Sequence, residues 1–561
     1  MSQSPVPAPQ APDLSAPPAP AMTRREVLEA LSGILLGVFV SLLATTITST
    51  SLPRIVADLG GSQHSYTWVV TGMLLTMTIS TPLWGKLADL TNRKVLIQIA
   101  LGITVVSAAA AGLSQNIETL IGFRALQGIG AGGLTALATV LMADIISPRE
   151  RGKYMGLMGG VMAVAQIGGP LLGGVLTDSL SWRWTFFVGI PFAVAAFVVL
   201  QKTLHLPKRE QRAVKIDYAG AVLIAVAVAL LLLWVTFAGD QFEWASWQTA
   251  AMVGGAVVAL VAAGFVERAA AEPIIPLHLF KNRTFVLAVI ASASVGVAMF
   301  GTAVFLSQYF QLARGKTPTE SGLLTIPMVI GTMLAGIVLG RIISNTGRYK
   351  AIMVGGAVVL SASLYGLSTI EVDTSFVLIS VFLFGLGISV GALMQNLVLA
   401  TQNTLDVHEM GAGTSGVAFF RSLGGAIGVS ALGAVMASHI KSDLVTGLAK
   451  LGIPADATGA GSGVVPSDLA SLPAPVRSVI ESAYSDGITT IFLYAVPMAV
   501  ISLIAVLFIK EIPLGQRSGI EQVLDEEQSA PLVAVQASAP VAAQSVAPVA
   551  AQDAERVTDR A

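Results

Sequence analysis

The chain has no cysteine, only five histidines and little charge: 12% of its 561 residues are charged, against 54% hydrophobic. Without thiols there is no disulfide framework, no thiol nucleophile and no thiolate metal site. The histidines are scattered and offer no paired ligand spacing, so no metal is expected. Walker loops and catalytic elbows are missing too, which excludes ATP-driven work and common enzyme chemistry and implies no cofactor. A net charge of −1 argues against a nucleic-acid surface. Charge this sparse cannot clothe a soluble protein of this size, so the solvent for most of the chain is lipid.

What is present is apolar sequence in long blocks. A helix crossing roughly 30 Å of hydrocarbon needs about 20 residues at about 1.5 Å each. Fourteen stretches qualify: 27–51, 66–85, 95–113, 119–141, 154–178, 184–201, 217–237, 248–266, 285–312, 320–342, 351–370, 375–399, 413–436 and 488–509. They are continuously apolar rather than alternating, which predicts helices and not barrel strands. The expected class is an all-α membrane protein.

Basic residues orient it. With the N-terminus inside, cytoplasmic loops carry three times as many Lys and Arg as outer ones, including Lys86/Arg93/Lys94, Arg149/Arg151/Lys153 and Arg341/Arg348/Lys350. Both termini are then cytoplasmic. The loop Gly85-Lys-Leu-Ala-Asp89…Arg93-Lys94 after span two is echoed by Gly340-Arg…Arg348 after span ten, eight spans later. A plain duplication of six spans would place the echo after span eight, so spans seven and eight are an insertion, and the fourteen divide as six, two and six. The expected segments are a disordered tail (1–26), a six-helix half (27–201), linkers with two inserted helices (202–284), a second half (285–509) with an outer loop at 437–487, and a disordered tail (510–561).

Further motifs are Arg124-Ala-Leu-Gln127-Gly128 in span four, Gly169-Pro170-Leu-Leu-Gly173-Gly174 in span five, Trp182-Arg-Trp184 before span six, and Gln311…Pro318…Gly322…Pro327 around span ten. In order and spacing, over about 27–512, they resemble the major facilitator superfamily, and within it the fourteen-span drug:proton antiporters (EmrB/QacA family). The resemblance implies a gate of Gly85, Asp89, Arg93 and Lys94, repeated at Gly340 and Arg348. It also implies coupling residues at Arg124, Gln127 and Gly128, and a hinge at Gly169, Pro170, Gly173 and Gly174. Each has a plainer reading: loop lysines anchor a positive-inside loop, glycines allow close helix packing, and Gly128 to Gly133 form a packing stripe. Arg124 and Arg421 are charges inside spans, where an unpaired cation costs a few kcal/mol, so each needs a partner. Asp178, at the outer end of span five, can pair with Arg124 or cap its helix. Polar and aromatic residues expected to face a central cavity are Thr45, Thr46, Gln166, Phe305, Gln308, Tyr309, Gln395, Asn396 and Phe420, with Arg421.

One feature departs from the resemblance. These antiporters carry an aspartate in span one, and here Ala44 occupies that place, within Leu43-Ala-Thr-Thr46…Leu52-Pro53. No Asp or Glu falls near a bilayer centre. Two arginines without a carboxylate make a poor cavity for dications, which points to neutral, zwitterionic or anionic lipophilic substrates. The expectation is a secondary exporter of lipophilic or amphipathic small molecules in a bacterial-type cell membrane, proton-coupled and working by alternating access. Two rivals stand beside it: a dedicated exporter of one metabolite, lipid or self-made antibiotic, and a non-transporting sensor or scaffold.

Overall fold

The computed structural model describes residues 24–59, 63–204, 217–238, 242–270, 273–316, 318–406, 409–453 and 473–514. The tails expected to be disordered lie, beyond residues 24 and 514, outside the described residues. Every long element is a helix. The first half of the sequence forms α1 (Arg24–Asp58), α2 (Gln63–Leu90), α3 (Arg93–Gly112), α4 (Ile117–Ile145) and α5 (Pro148–Ser179), then a short α6 (Trp184–Phe187) and α7 (Gly189–Thr203). Two more follow, α8 (Tyr218–Phe237) and α9 (Trp247–Ala269). The remainder comprises α10 (Arg283–Gln308), α11 (Pro318–Leu324), α12 (Ile326–Thr346), α13 (Lys350–Leu367), α14 (Phe376–Gln402), α15 (Met410–Lys450) and α16 (Ala474–Phe508). Among the described residues 13 helical stretches are long and apolar enough to cross a membrane; the 28-residue α2 is not among them.

Polar residues at the boundaries start and stop these helices. Asn92, Asn116, Asp217, Ser246, Asn282 and Ser375 each accept a backbone N–H of the following first turn, satisfying donors that have no partner within the helix. Gly347 closes α12 in the left-handed region at φ 68°, which a side chain would strain. Spans six and ten are each interrupted: α6 gives way to α7 at Val188, and α11 to α12 at Thr325. Span nine ends in a π-turn, Tyr309–Ala313.

The stretch expected as an outer loop, 437–487, is helical up to Lys450 and again from Ala474. Met436, Ile440, Leu444 and Leu448 recur every four residues and are buried with Val476, Ile480 and Ala483 of α16. That stripe lets α15 and α16 run on past the expected spans as an antiparallel pair, with Gly487 against Ile440 and Gly447 against Val479.

Helix α1 packs on α5 and α7, α2 on α4, and α3 on α4. Further along, α10 packs on α15 and α16, α12 on α14, and α13 on α14 and α16. Two seams join these groups, α2 with α15 and α5 with α12. Helices α8 and α9 pack on each other, and Ile224, Val228 and Leu232 of α8 share a cluster with Phe419 of α15. The glycine stripe of α4 is where α2 comes closest: a methyl on Gly128 would strike the Met73 carbonyl and Thr76 Oγ1, and one on Gly133 would lie 2.6 Å from Trp84. Gly128→Val is therefore expected to cost about 1–3 kcal/mol or more through overpacking. Thermal unfolding in detergent checks this, with Gly174→Ala as the control because a methyl there meets nothing within 4 Å. Equal midpoints for the two variants would rule the close approach out.

Candidate functional site: a helix-end clamp, a buried arginine and a methionine-lined cleft

Asp89 sits in the last turn of α2, and its carboxylate closes the seam to α15. Oδ1 accepts the Gly411 N–H and Oδ2 the Ala412 N–H, both at 2.8 Å. These are first-turn donors of α15, unsatisfied within that helix and at the positive end of its dipole, so an anion belongs there. Arg93 reaches Asp89 at 3.4 Å, donates to the Ala88 carbonyl at 2.7 Å, and forms a close ion pair with Asp144 at the end of α4. Gly85 makes the approach possible: a methyl on it would collide with Ser415 and come within 2.7 Å of the Gly411 carbonyl. Burial pushes the Asp89 carboxyl up to about 6, against the opposing pull of Arg93 and the two backbone N–H groups.

Of the other residues expected at the gate, Lys94 lies apart, its ammonium on the Gln201 carbonyl at 2.8 Å. The echo of this loop makes no such clamp. Gly340 is buried in α12, while the Arg348 side chain is exposed and bonds to nothing among the described residues. The reason is legible: four residues beyond Gly340 stands Ser344, where the first copy has Asp89. Asp144, Gly411 and Ala412 escaped the sequence reading; an acid in an apolar context at the end of span four was the one available signal.

Arg124 is 3% exposed on α4. One guanidinium nitrogen, Nη1, donates to Gln127 Oε1 at 2.8 Å and lies 3.4 Å from the Ala44 carbonyl, while its Nε is buried with no acceptor. No carboxylate pairs with it among the described residues. The Asp178 side chain lies outside them, as do those of Pro170 and Gln308. A small, mostly apolar cavity beside Arg124 is lined by Leu43, Ala44, Ile47, Thr104, Gln127 and Phe186. The α5 glycines press against α1: a methyl on Gly169 would strike Thr46, and one on Gly173 would lie 2.5 Å from the Ile47 carbonyl, while Gly174 faces open space. Thr46 ties the helices together by donating to the Ala165 carbonyl at 3.0 Å.

A cleft of about 610 Å³, part of it open to solvent, lies between α5, α10, α12 and α14. Gln166 and Gln395 line it together with four methionines, Met162, Met299, Met328 and Met394, and with Thr332 and Gly391. The methionines were missed, since a lone Met in an apolar span carries no pattern. Other residues expected in the cavity are not brought to this cleft. Thr45 bonds to the Ser41 carbonyl of its own helix, and Asn396 is buried and bonded to the Ala392 carbonyl. Tyr309 is fully buried, its hydroxyl on the Glu371 carbonyl at 2.8 Å, and Phe305 is buried near Gly433. Phe420 stacks edge-on with Phe280 and Phe419. Arg421 is 7% exposed.

Comparison with known families decides what this helical assembly is: the model of the Major Facilitator Superfamily matches residues 34–429, more than half of the chain. The chain belongs to the major facilitator superfamily. It is similar to the multidrug transporter protein MdtP of Bacillus subtilis, 31% identical over 525 residues covering 90% of this chain and 96% of that one. It is likewise similar to the efflux pump dotC of Dothistroma septosporum, 32% identical over 89% of this chain and 86% of that protein. A transporter of the same superfamily from Mycobacterium tuberculosis is 36% identical over 88% of this chain and 70% of its own length. In fold, the human organic anion transporter MFSD10 superposes with a TM-score of 0.56 at 14% identity, over 84% of this chain and 99% of that structure. This superfamily member is thus a multi-pass cell-membrane transporter and not an enzyme.

Proposed function

We propose that the chain is a secondary exporter of lipophilic or amphipathic small molecules, proton-coupled, in which two six-helix halves rock about the cleft. In this reading α1 to α7 and α10 to α16 are the halves, α8 and α9 the insertion, and both termini are cytoplasmic. The Asp89 clamp supports it most directly, since a carboxylate on one half caps a helix of the other and can let go when that end opens. The cleft suits a loose selection of substrates: methionine is flexible and polarisable, and the two glutamines offer donors and acceptors without charge. The efflux proteins it is similar to favour export over a sensor or scaffold role.

Full-length protein in proteoliposomes tests the proposal. An imposed pH gradient should accelerate transport of a lipophilic fluorescent substrate at least about fivefold over the same vesicles with the gradient collapsed by an ionophore. No response to the gradient would remove proton coupling. No transport in either condition, by correctly folded protein, would remove the exporter.

A further inference from the structure

We propose that Arg421 anchors an acidic group of the transported molecule, so that the substrates of this exporter are amphipathic carboxylates, free or zwitterionic. The proposal rests on the exporter reading above and names its substrate class.

Arg421 is a cation that nothing among the described residues neutralises. It is 7% exposed, and among the described residues no carboxylate, carbonyl or side chain accepts a hydrogen bond from it. An arginine stays charged at neutral pH, and a buried charge without a partner is strongly disfavoured. Arg124, the other arginine within the spans, is held by Gln127, whereas Arg421 has no such holder.

Its helix packs against two of the helices that form the cleft, although Arg421 is not itself among the residues lining it. The backbone of α15 crosses α10 so closely at Arg421 that a methyl on Gly296 would collide with the Arg421 carbonyl. Met299, three residues beyond Gly296 on α10 and so on its next turn, lines the cleft. On α15, Thr414, Val417 and Arg421 are spaced three and four residues apart and so share a face. Thr414 accepts a hydrogen bond from Gln402 of α14 at 2.9 Å, which turns that face toward α14. Helix α14 contributes Val390, Gly391, Met394 and Gln395 to the cleft. Arg421 thus sits on a face of α15 that meets α10 and α14, two helices that wall a cleft with no acidic or basic lining residue of its own. A ligand with an apolar body fits the methionines, and its carboxylate supplies the counter-charge by paired N–H···O bonds.

The test compares an aromatic amphipathic carboxylic acid with its methyl ester. Binding to full-length protein in detergent is followed by tryptophan fluorescence, and transport is followed in proteoliposomes. Wild type should bind the acid, and Arg421→Gln should weaken that binding about tenfold or more while ester binding changes by less than about twofold. Arg421→Lys should recover part of the loss. If acid and ester weaken together, or neither changes, the anchor is wrong. Arg421→Gln is first shown to be monodisperse with an unchanged melting point; should it not fold, acid-versus-ester affinity of Arg421→Lys decides, since a lost fork must cost the acid alone. A small inorganic anion is tested by exchanging chloride for gluconate: if millimolar chloride weakens acid binding to the level of the ester while leaving ester binding unchanged, the counter-ion is chloride and the proposal fails. Acid bound by wild type but not transported would overturn the exporter reading and leave the anchor standing.

Discussion

Asp89→Ala is expected to release the seam between α2 and α15 and lower export by roughly 100-fold while leaving the protein folded. Two backbone N–H groups at the start of α15 lose their acceptor, each worth about 1–3 kcal/mol when left buried, and Arg93 keeps Asp144 and the Ala88 carbonyl. Even about 3 kcal/mol moves a two-state gate by roughly 100-fold. The absence of cysteine makes the measurement clean, because an introduced Ala412→Cys is the sole thiol, at a position 3% exposed in the clamped state. Its labelling by a hydrophilic maleimide should speed up by about the same factor in the Asp89→Ala background. Unchanged labelling would mean that the clamp does not govern opening.

The same clamp carries a pH dependence. The Asp89 carboxyl is raised to about 6 with the seam closed, and opening to water returns it to about 3.9. The closed state binds more protons, so acidification from about pH 6 toward about pH 4 favours closure and slows Ala412→Cys labelling. The rate is taken relative to that of the same cysteine in denatured protein, which removes the ionisation of the thiol itself; above about pH 7 this ratio should be flat, because the carboxyl is ionised in both states. Asp89→Asn should abolish the dependence, and its persistence would assign it to another group.

Ala44→Asp is the second large effect. The Ala44 carbonyl lies 3.4 Å from Arg124, and Ala44 and Gln127 border one small cavity, so a carboxylate at this position would stand near that guanidinium. A charge at about 8 Å and an effective dielectric of about 20 is worth about 2 kcal/mol per unit on the substrate, and twice that for a dication. Uptake of a bis-quaternary dication into everted vesicles should therefore rise by up to roughly 1,000-fold over wild type, and that of a monocation by about 30-fold, with a new dependence on the pH gradient. Wild type that already carried the dication well, or a variant that gained nothing, would show that charge at Ala44 does not select the substrate.

Much of the fold was legible because lipid leaves so few choices. Backbone groups in hydrocarbon must bond within their own helix, so runs of about 20 apolar residues announce spans one by one. The Gly85 loop was legible as well, since glycine, a carboxylate and two bases in fixed order have few other uses. Less visible was where the helices stop. The extension of α15 to Lys450 rests on a stripe that is apolar on one face only, which hydropathy averaged over a window dilutes. Nor did spacing along the chain say that Asp144 would meet Arg93, or that four methionines from four helices would line one cleft. Each joins residues far apart in sequence.

The sequence by itself determined a helical membrane transporter with a charged loop after its second span and no carboxylate at Ala44, because these follow from local composition and order. Only the tertiary structure decided what the charges do. Asp89 found two helix-end donors more than 300 residues away, whereas among the described residues Arg124 found only Gln127 and a carbonyl, and Arg421 found nothing. Partnership is a property of packing: the same buried charge is a clamp, a held group or an open binding element according to which helix its own helix lies against.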